Sequence, residues 1–117
     1  PVRISGRDYV DGGLVSPVPV RYARQMGAEL IVAVDISSAP EANAAGDSLQ
    51  ILLQTFSIMG KSINYFELRD ADVVVRPELN AIGSSDFASR QKSIEAGRTA
   101  MTRLLPQLRA AISTKTR

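Results

Sequence analysis

Two short apolar runs constrain this chain more than any other feature. Glu29-Leu30-Ile31-Val32-Ala33-Val34-Asp35-Ile36 and Ala71-Asp72-Val73-Val74-Val75-Arg76-Pro77 are dominated by β-branched residues and lack the alternation of a half-exposed strand. Such a run is what a strand buried on both faces looks like, as in parallel sheets flanked by helices. Between them, from Asp47 to about Leu68, a helical period takes over. Leu49, Leu52, Leu53, Phe56, Met59, Ile63 and Phe66 recur every three or four residues, which makes one apolar face. Asp47, Gln50, Gln54, Ser57, Lys61, Asn64 and Glu67 occupy the other face. The Met- and Phe-bearing face is read as core. Gly60 costs about 1 kcal/mol relative to Ala inside a helix and marks a close helix–sheet contact.

The remaining segments fit around this centre. Residues 1–16 read as a strand, a turn at Ser5-Gly6-Arg7, a second short strand and an exit at Asp11-Gly12-Gly13. Pro17 and Pro19 bar regular strand pairing and pre-set φ for a helix start. A short helix from about Val18 to Met26 follows, and Gly27 stands where a helix C-terminus wants it. The polar segment 37–46 is a loop. After Pro77 a second loop, Glu78 to Asp86, carries Ser84-Ser85, which reads as a helix N-cap before Phe87. The last helix spans roughly Phe87 to Leu105, with Phe87, Ile94, Met101 and Leu108 one heptad apart. Pro106, which has no amide proton, is expected to end that helix or open a final short one, Gln107 to Ile112, before a frayed tail. The predicted order is β-β-α-β-α-β-α, an α/β layered sheet flanked by helices in one domain.

Composition removes several function classes. The 117 residues carry a net charge of only +2, too balanced to imply nucleic acid. A free-standing domain of this size buries roughly two thirds of its unfolded surface. Cysteine and histidine are both absent, which excludes a disulfide framework, a zinc site of the usual kind and a Ser-His-Asp triad within this chain. No metal and no cofactor are expected. There is no phosphate-binding loop and no Gly-x-Ser-x-Gly elbow. Asp35, at a strand end, resembles the acid that holds a dinucleotide ribose, but the glycine fingerprint that should precede it is missing. Arg90, Lys92, Arg98, Arg103 and Arg109 give the last helix a basic character that reads as a solvated face ahead of a lipid-binding one. Pro1 stands where a Met would open a chain and strand-like sequence follows at once, so the chain reads as part of a longer protein.

Tyr9-Val10-Asp11-Gly12-Gly13-Leu14 is the candidate for chemistry. A carboxylate delivered at a strand's end, followed by two residues without Cβ, is a way of aiming an acid into a site that another chain or ligand approaches closely. Asp-Gly is equally a frequent turn pair. Three ordered blocks bear on the choice: Asp11-Gly12-Gly13-Leu14 with Pro17, Pro19-Val20, Gly27-Ala28 and Leu30 to Asp35; Ala71 to Leu79; and Ile82-Gly83-Ser84-Ser85-Asp86-Phe87 with Ile94-Glu95-Ala96-Gly97. Together they resemble the C-terminal half of the catalytic domain of patatin-like phospholipases, the last two blocks the bacterial branch in particular. The resemblance covers nearly the whole chain apart from the 37–46 loop and the long helix.

What the resemblance implies is a patatin-like fold, related to the α/β hydrolase theme, and a serine lipid acyl hydrolase with a Ser–Asp dyad. Asp11 is then the base of the dyad, and Gly12 and Gly13 complete its motif. The family's nucleophilic serine elbow and Gly-rich oxyanion loop lie upstream, and neither is in these 117 residues. The partners implied are a lipid or ester substrate and the nucleophile-bearing N-terminal half, with a membrane surface as a further candidate. Where many members have Asn shortly after the motif, this chain has Ser16, a change that bears on a hydrogen bond shaping the loop. With no histidine at hand, a carboxylate must activate the serine directly or through water, and burial beside apolar strand residues would strengthen it as a base. The alternative is a non-enzymatic α/β binding or regulatory module in which Asp11-Gly12-Gly13 is only a turn.

Overall fold

The order of elements is the expected one. The computed structural model describes residues 1–37, 47–79, 82 and 86–116. Strands β1 (Val2–Ile4) and β2 (Arg7–Tyr9) form an antiparallel hairpin in which Val2 faces Tyr9 and Ile4 faces Arg7. Its two-residue loop puts Ser5 and Gly6 at φ 49° and 78°, the left-handed pair that matches the right-handed twist of the flanking strands. A 3₁₀ turn at Gly12–Leu14 leads to helix α1 (Val20–Gln25). Gly27 sits just past that helix at φ +96°, closing it as the sequence demands.

Strand β3 (Val32–Val34), helix α2 (Ser48–Leu68) and strand β4 (Val73–Val75) follow. β3 and β4 pair in parallel, Val32 beside Val73 and Val34 beside Val75. The ladder is shorter than the apolar runs because a side chain takes over at its entrance: the Ile31 N–H donates to Asp72 Oδ2 at 2.8 Å. The side chain of Asp47 caps α2, accepting from the Gln50 N–H at 2.8 Å. Among the described residues the strands form two separate two-stranded sheets, so the single layered sheet is present only as the β3–β4 pair.

Helix α3 (Arg90–Lys115) corrects one expectation. It continues uninterrupted past Pro106, which neither ends it nor opens a new helix. Pro106 and Thr102, the residue whose carbonyl loses its donor, are both exposed, so water can serve that carbonyl and the loss does not break the helix. The 3₁₀ turn Phe87–Ser89 that leads into α3 is capped by Asp86, which accepts from the Ser89 N–H at 3.2 Å and the Ser89 hydroxyl at 2.7 Å. Ser84 and Ser85, read as the cap, lie outside the described residues, as does most of the 37–46 loop.

The core is small. Among the described residues its buried apolar members are Val20, Ile31, Ala33, Leu68, Val73 and Val75, and Val73 is the largest side chain to be fully enclosed. All three phenylalanines, Phe56, Phe66 and Phe87, are exposed. The face of α2 read as core is exposed as well: Leu49, Leu52, Leu53, Phe56 and Met59 all retain half or more of their accessible surface. The helix instead docks through Gly60, Asn64 and Leu68, with Pro17 Cγ 4.0 Å from where a Cβ on Gly60 would be, so Gly60 meets the Pro17 loop rather than a sheet. The radius of gyration is 16.9 Å. A compact domain of this length would have about 13 Å. The fold is mixed α/β with much of its apolar surface uncovered by its own chain.

Candidate functional site

Asp11 follows the hairpin directly and is the N-cap of the 3₁₀ turn. Its extended backbone, at φ −61° and ψ 128°, turns the side chain back over the two residues that follow, and Oδ1 accepts the Gly13 N–H at 2.7 Å. The turn is closed behind it by Leu14 N–H to Asp11 O at 3.2 Å and Ser16 N–H to Gly12 O at 2.9 Å. Among the described residues Oδ2 has no partner and no cation pairs with the carboxylate. One oxygen is therefore fixed and the other is left without a partner among the described residues.

The two glycines differ in what they allow. A Cβ on Gly12 would meet nothing within 4 Å, whereas one on Gly13 would stand 3.0 Å from Asp11 Oδ1. A side chain at 13 would push on the carboxylate itself, so Gly13 protects the aim of Asp11, while the space beside Gly12 is open. Asp11 is exposed, as are Val10, Leu14 and Val15 beside it. The desolvation expected at this position is not supplied by the described residues, because no described element packs over the loop.

The loop is anchored to α2 on its far side. Ser16 is buried to 6 % exposure, Pro17 lies against Gly60, and the Arg21 N–H donates to Glu67 Oε2 at 3.0 Å. The Arg21 guanidinium reinforces that contact with Nε 3.7 Å from Glu67 Oε1. The Ser16 hydroxyl has no hydrogen-bond partner among the described residues, so the loop is shaped by the Ser16 backbone rather than by its side chain.

Sequence reasoning missed the most connected carboxylate among the described residues. Asp72, just before β4, accepts from the Ile31 N–H at 2.8 Å and from Arg24 Nη2 at 3.0 Å through Oδ2, and pairs with Lys115 Nζ at 3.1 Å through Oδ1. Arg24 also donates to the carbonyls of Ala28 (3.1 Å), Glu29 (2.9 Å) and Asp70 (3.0 Å), and Lys115 to that of Glu29 at 2.6 Å. One triad thus ties α1, the entrances of β3 and β4, and the end of α3. The Ile31 N–H, then Lys115, outweigh partial burial and hold the Asp72 carboxyl down at about 2. It lies at the amino ends of the parallel pair, opposite the carboxyl ends where sites on such sheets form, and its role is structural.

At those carboxyl ends Asp35 is likewise engaged. Arg76 Nε stands 3.4 Å from its Oδ2, and Oδ1 accepts the Ser37 hydroxyl at 2.6 Å and the Ser37 N–H at 3.1 Å. A cavity of about 440 Å³ opens between β4 and α3, lined by Val74, Arg76, Glu78, Glu95, Thr99 and Arg103 among others. Glu78 and Arg103 approach to 3.7 Å across it, and Asp11 is not part of its lining. In the basic last helix Arg98 pairs with Glu95 at 3.7 Å. Among the described residues no helix is long and apolar enough to cross a membrane. No protein-family model matches the chain.

Proposed function

We propose that this chain is the acid-bearing half of a patatin-like serine lipid acyl hydrolase, a phospholipase A-type or esterase domain in which Asp11 is the base of a Ser–Asp dyad. The observation that carries the reading is the state of the Asp11 carboxylate: Oδ1 is held by the Gly13 N–H, while Oδ2 has no partner among the described residues and the residue is exposed. A fixed carboxylate with one free oxygen is what a general base needs in order to take a proton from a hydroxyl brought to about 2.6–3.2 Å. The serine and the oxyanion donors come from a nucleophile-bearing segment that is not in this chain. That segment also covers Asp11 and supplies the desolvation that makes a carboxylate an effective base. In the acylation step the serine oxygen attacks the ester carbonyl, its proton passes to Asp11 Oδ2, and the alcohol leaves with that proton.

The same Asp11–Gly13 hydrogen bond also serves the alternative, a binding module in which Asp11 only shapes a turn. Asp11→Asn separates the two, because Asn keeps the Oδ1 acceptor that caps the turn and loses the base. In the protein expressed from the whole parent reading frame, a fluorophosphonate should label one serine. The hydrolase reading expects Asp11→Asn to slow that labelling at least about 100-fold with an unchanged melting temperature. Absence of any labelled serine in the wild type, or equal labelling rates, would support the turn.

A further inference from the structure

We infer that Glu67 is a positioning residue for Asp11: from the end of α2 its carboxylate caps the first turn of α1 and so fixes where the Asp11 loop stands on the fold. That the loop serves catalysis rests on the hydrolase reading; that Glu67 holds it rests on the contacts themselves. The hydrogen bonds inside the loop are local, from the Gly13 N–H to Asp11 Oδ1 at 2.7 Å and from the Ser16 N–H to Gly12 O at 2.9 Å. Bonds of that range shape the loop without setting its place. Among the described residues that place is set by the seam with α2, where Ser16 is buried and Pro17 lies against Gly60.

Helix α1 depends on this outside help. Its N-cap position is Pro19, which makes no side-chain capping hydrogen bond, and the Arg21 N–H at the second helical position has no acceptor within its own helix. That N–H donates instead to Glu67 Oε2 at 3.0 Å, across 46 residues of sequence. Glu67 is itself well held. Its side chain is only 10 % exposed and its carbonyl accepts the Asp70 N–H at 3.2 Å. Leu68 beside it belongs to the same buried cluster as Val20, the first residue of α1. The Arg21 guanidinium adds only a weak ion pair, since it stands 3.7 Å away and its side chain is 57 % exposed.

Pro17 and Pro19 carry the constraint to the loop. Each locks its own φ, and Pro19 restricts Val18 before it, so the link between Ser16 and α1 is stiff. A shift at the start of α1 is passed on to Ser16, whose N–H closes the loop onto Gly12. The Pro17–Gly60 contact is apolar and tolerates sliding, whereas a hydrogen bond to a carboxylate is directional and does not. Misplacing a reacting group by about 1 Å costs on the order of 100-fold in rate. Glu67 therefore acts on turnover through Asp11 and leaves substrate binding alone.

Steady-state hydrolysis of a p-nitrophenyl ester by the protein from the whole parent reading frame tests it. Glu67→Met fills similar space without an acceptor and should lower kcat at least about tenfold with KM within about twofold of wild type. Glu67→Gln keeps a carbonyl acceptor for the Arg21 N–H and should hold kcat within about threefold. Arg21→Met keeps the N–H, loses only the guanidinium and should also stay within about threefold. Glu67→Asp withdraws the same charge by one methylene and should lower kcat as well, so the test does not depend on the Met variant folding. A nuclear Overhauser effect between the Pro17 ring and the Gly60 α-protons reads the seating of the loop without reference to catalysis. It should be present in wild type and Glu67→Gln and weaken in Glu67→Met and Glu67→Asp. Wild-type kcat or an unweakened Overhauser effect in both of the latter, or a loss in Glu67→Gln equal to theirs, overturns the proposal. A wild type that hydrolyses no ester removes the hydrolase reading, and the Overhauser effect still decides whether Glu67 seats the loop.

Discussion

Replacing Asp72 by Asn removes the charge on which Arg24, Lys115 and the Ile31 N–H converge. The folded carboxyl is held at about 2 against an ordinary value of 3.8. Each pH unit between the two is worth about 1.4 kcal/mol, so the full linkage comes to about 2.5 kcal/mol. The Asp72 side chain is 18 % exposed, but Arg24 and Lys115 are 39 % and 37 % exposed, and solvent screening of the cations reduces the figure to about 1–2 kcal/mol. Because the folded value is depressed, this stability is present in full above about pH 4 and disappears as pH falls through about 2. Urea denaturation of wild type and Asp72→Asn, followed by circular dichroism between pH 7 and pH 2, measures the difference directly. The gap should be about 1–2 kcal/mol at neutral pH and should close between about pH 4 and pH 2. A gap that is absent at pH 7, or that persists unchanged at pH 2, would refute the reasoning.

Three further substitutions test local features by thermal unfolding. Gly27→Ala puts a Cβ at φ +96°, where it meets no neighbour, so the cost of about 1 kcal/mol is backbone strain alone; an unchanged Tm would contradict it. Pro106→Ala restores the amide that α3 lacks and should stabilise the protein by about 2 kcal/mol, whereas a lower Tm would mean that the proline holds a needed bend. Ser16→Ala removes a buried hydroxyl with no partner among the described residues and should be neutral or stabilising by up to about 1 kcal/mol; a loss larger than that would show the hydroxyl to be bonded.

The elements were legible because their signals are local. The Val- and Ile-rich runs announced β3 and β4, Ser5-Gly6 the hairpin turn, and Gly27 the end of α1. Pro106 misled because its cost, about 3 kcal/mol, falls on a helix of 26 residues that neighbouring turns hold in place. The apolar face of α2 was legible as a face that avoids water but not as one covered within this chain, since periodicity reports a preference and not the partner that meets it. Asp11-Gly12-Gly13 stood out because short-range geometry gives it meaning: a cap, a close approach at 13 and open space at 12. Asp72 did not stand out, because its partners Arg24, Ile31 and Lys115 are 48, 41 and 43 residues away and only the fold brings them together.

The central claim is that Asp11 acts as a base, and steady-state hydrolysis of a p-nitrophenyl ester by the protein from the whole parent reading frame tests it most directly. Wild type should turn over, and Asp11→Asn should lower kcat by about 10²–10⁴-fold with the melting temperature and the Asp11-loop fold intact. Turnover of Asp11→Asn near the wild-type rate would contradict the account and leave Asp11-Gly12-Gly13 as a turn.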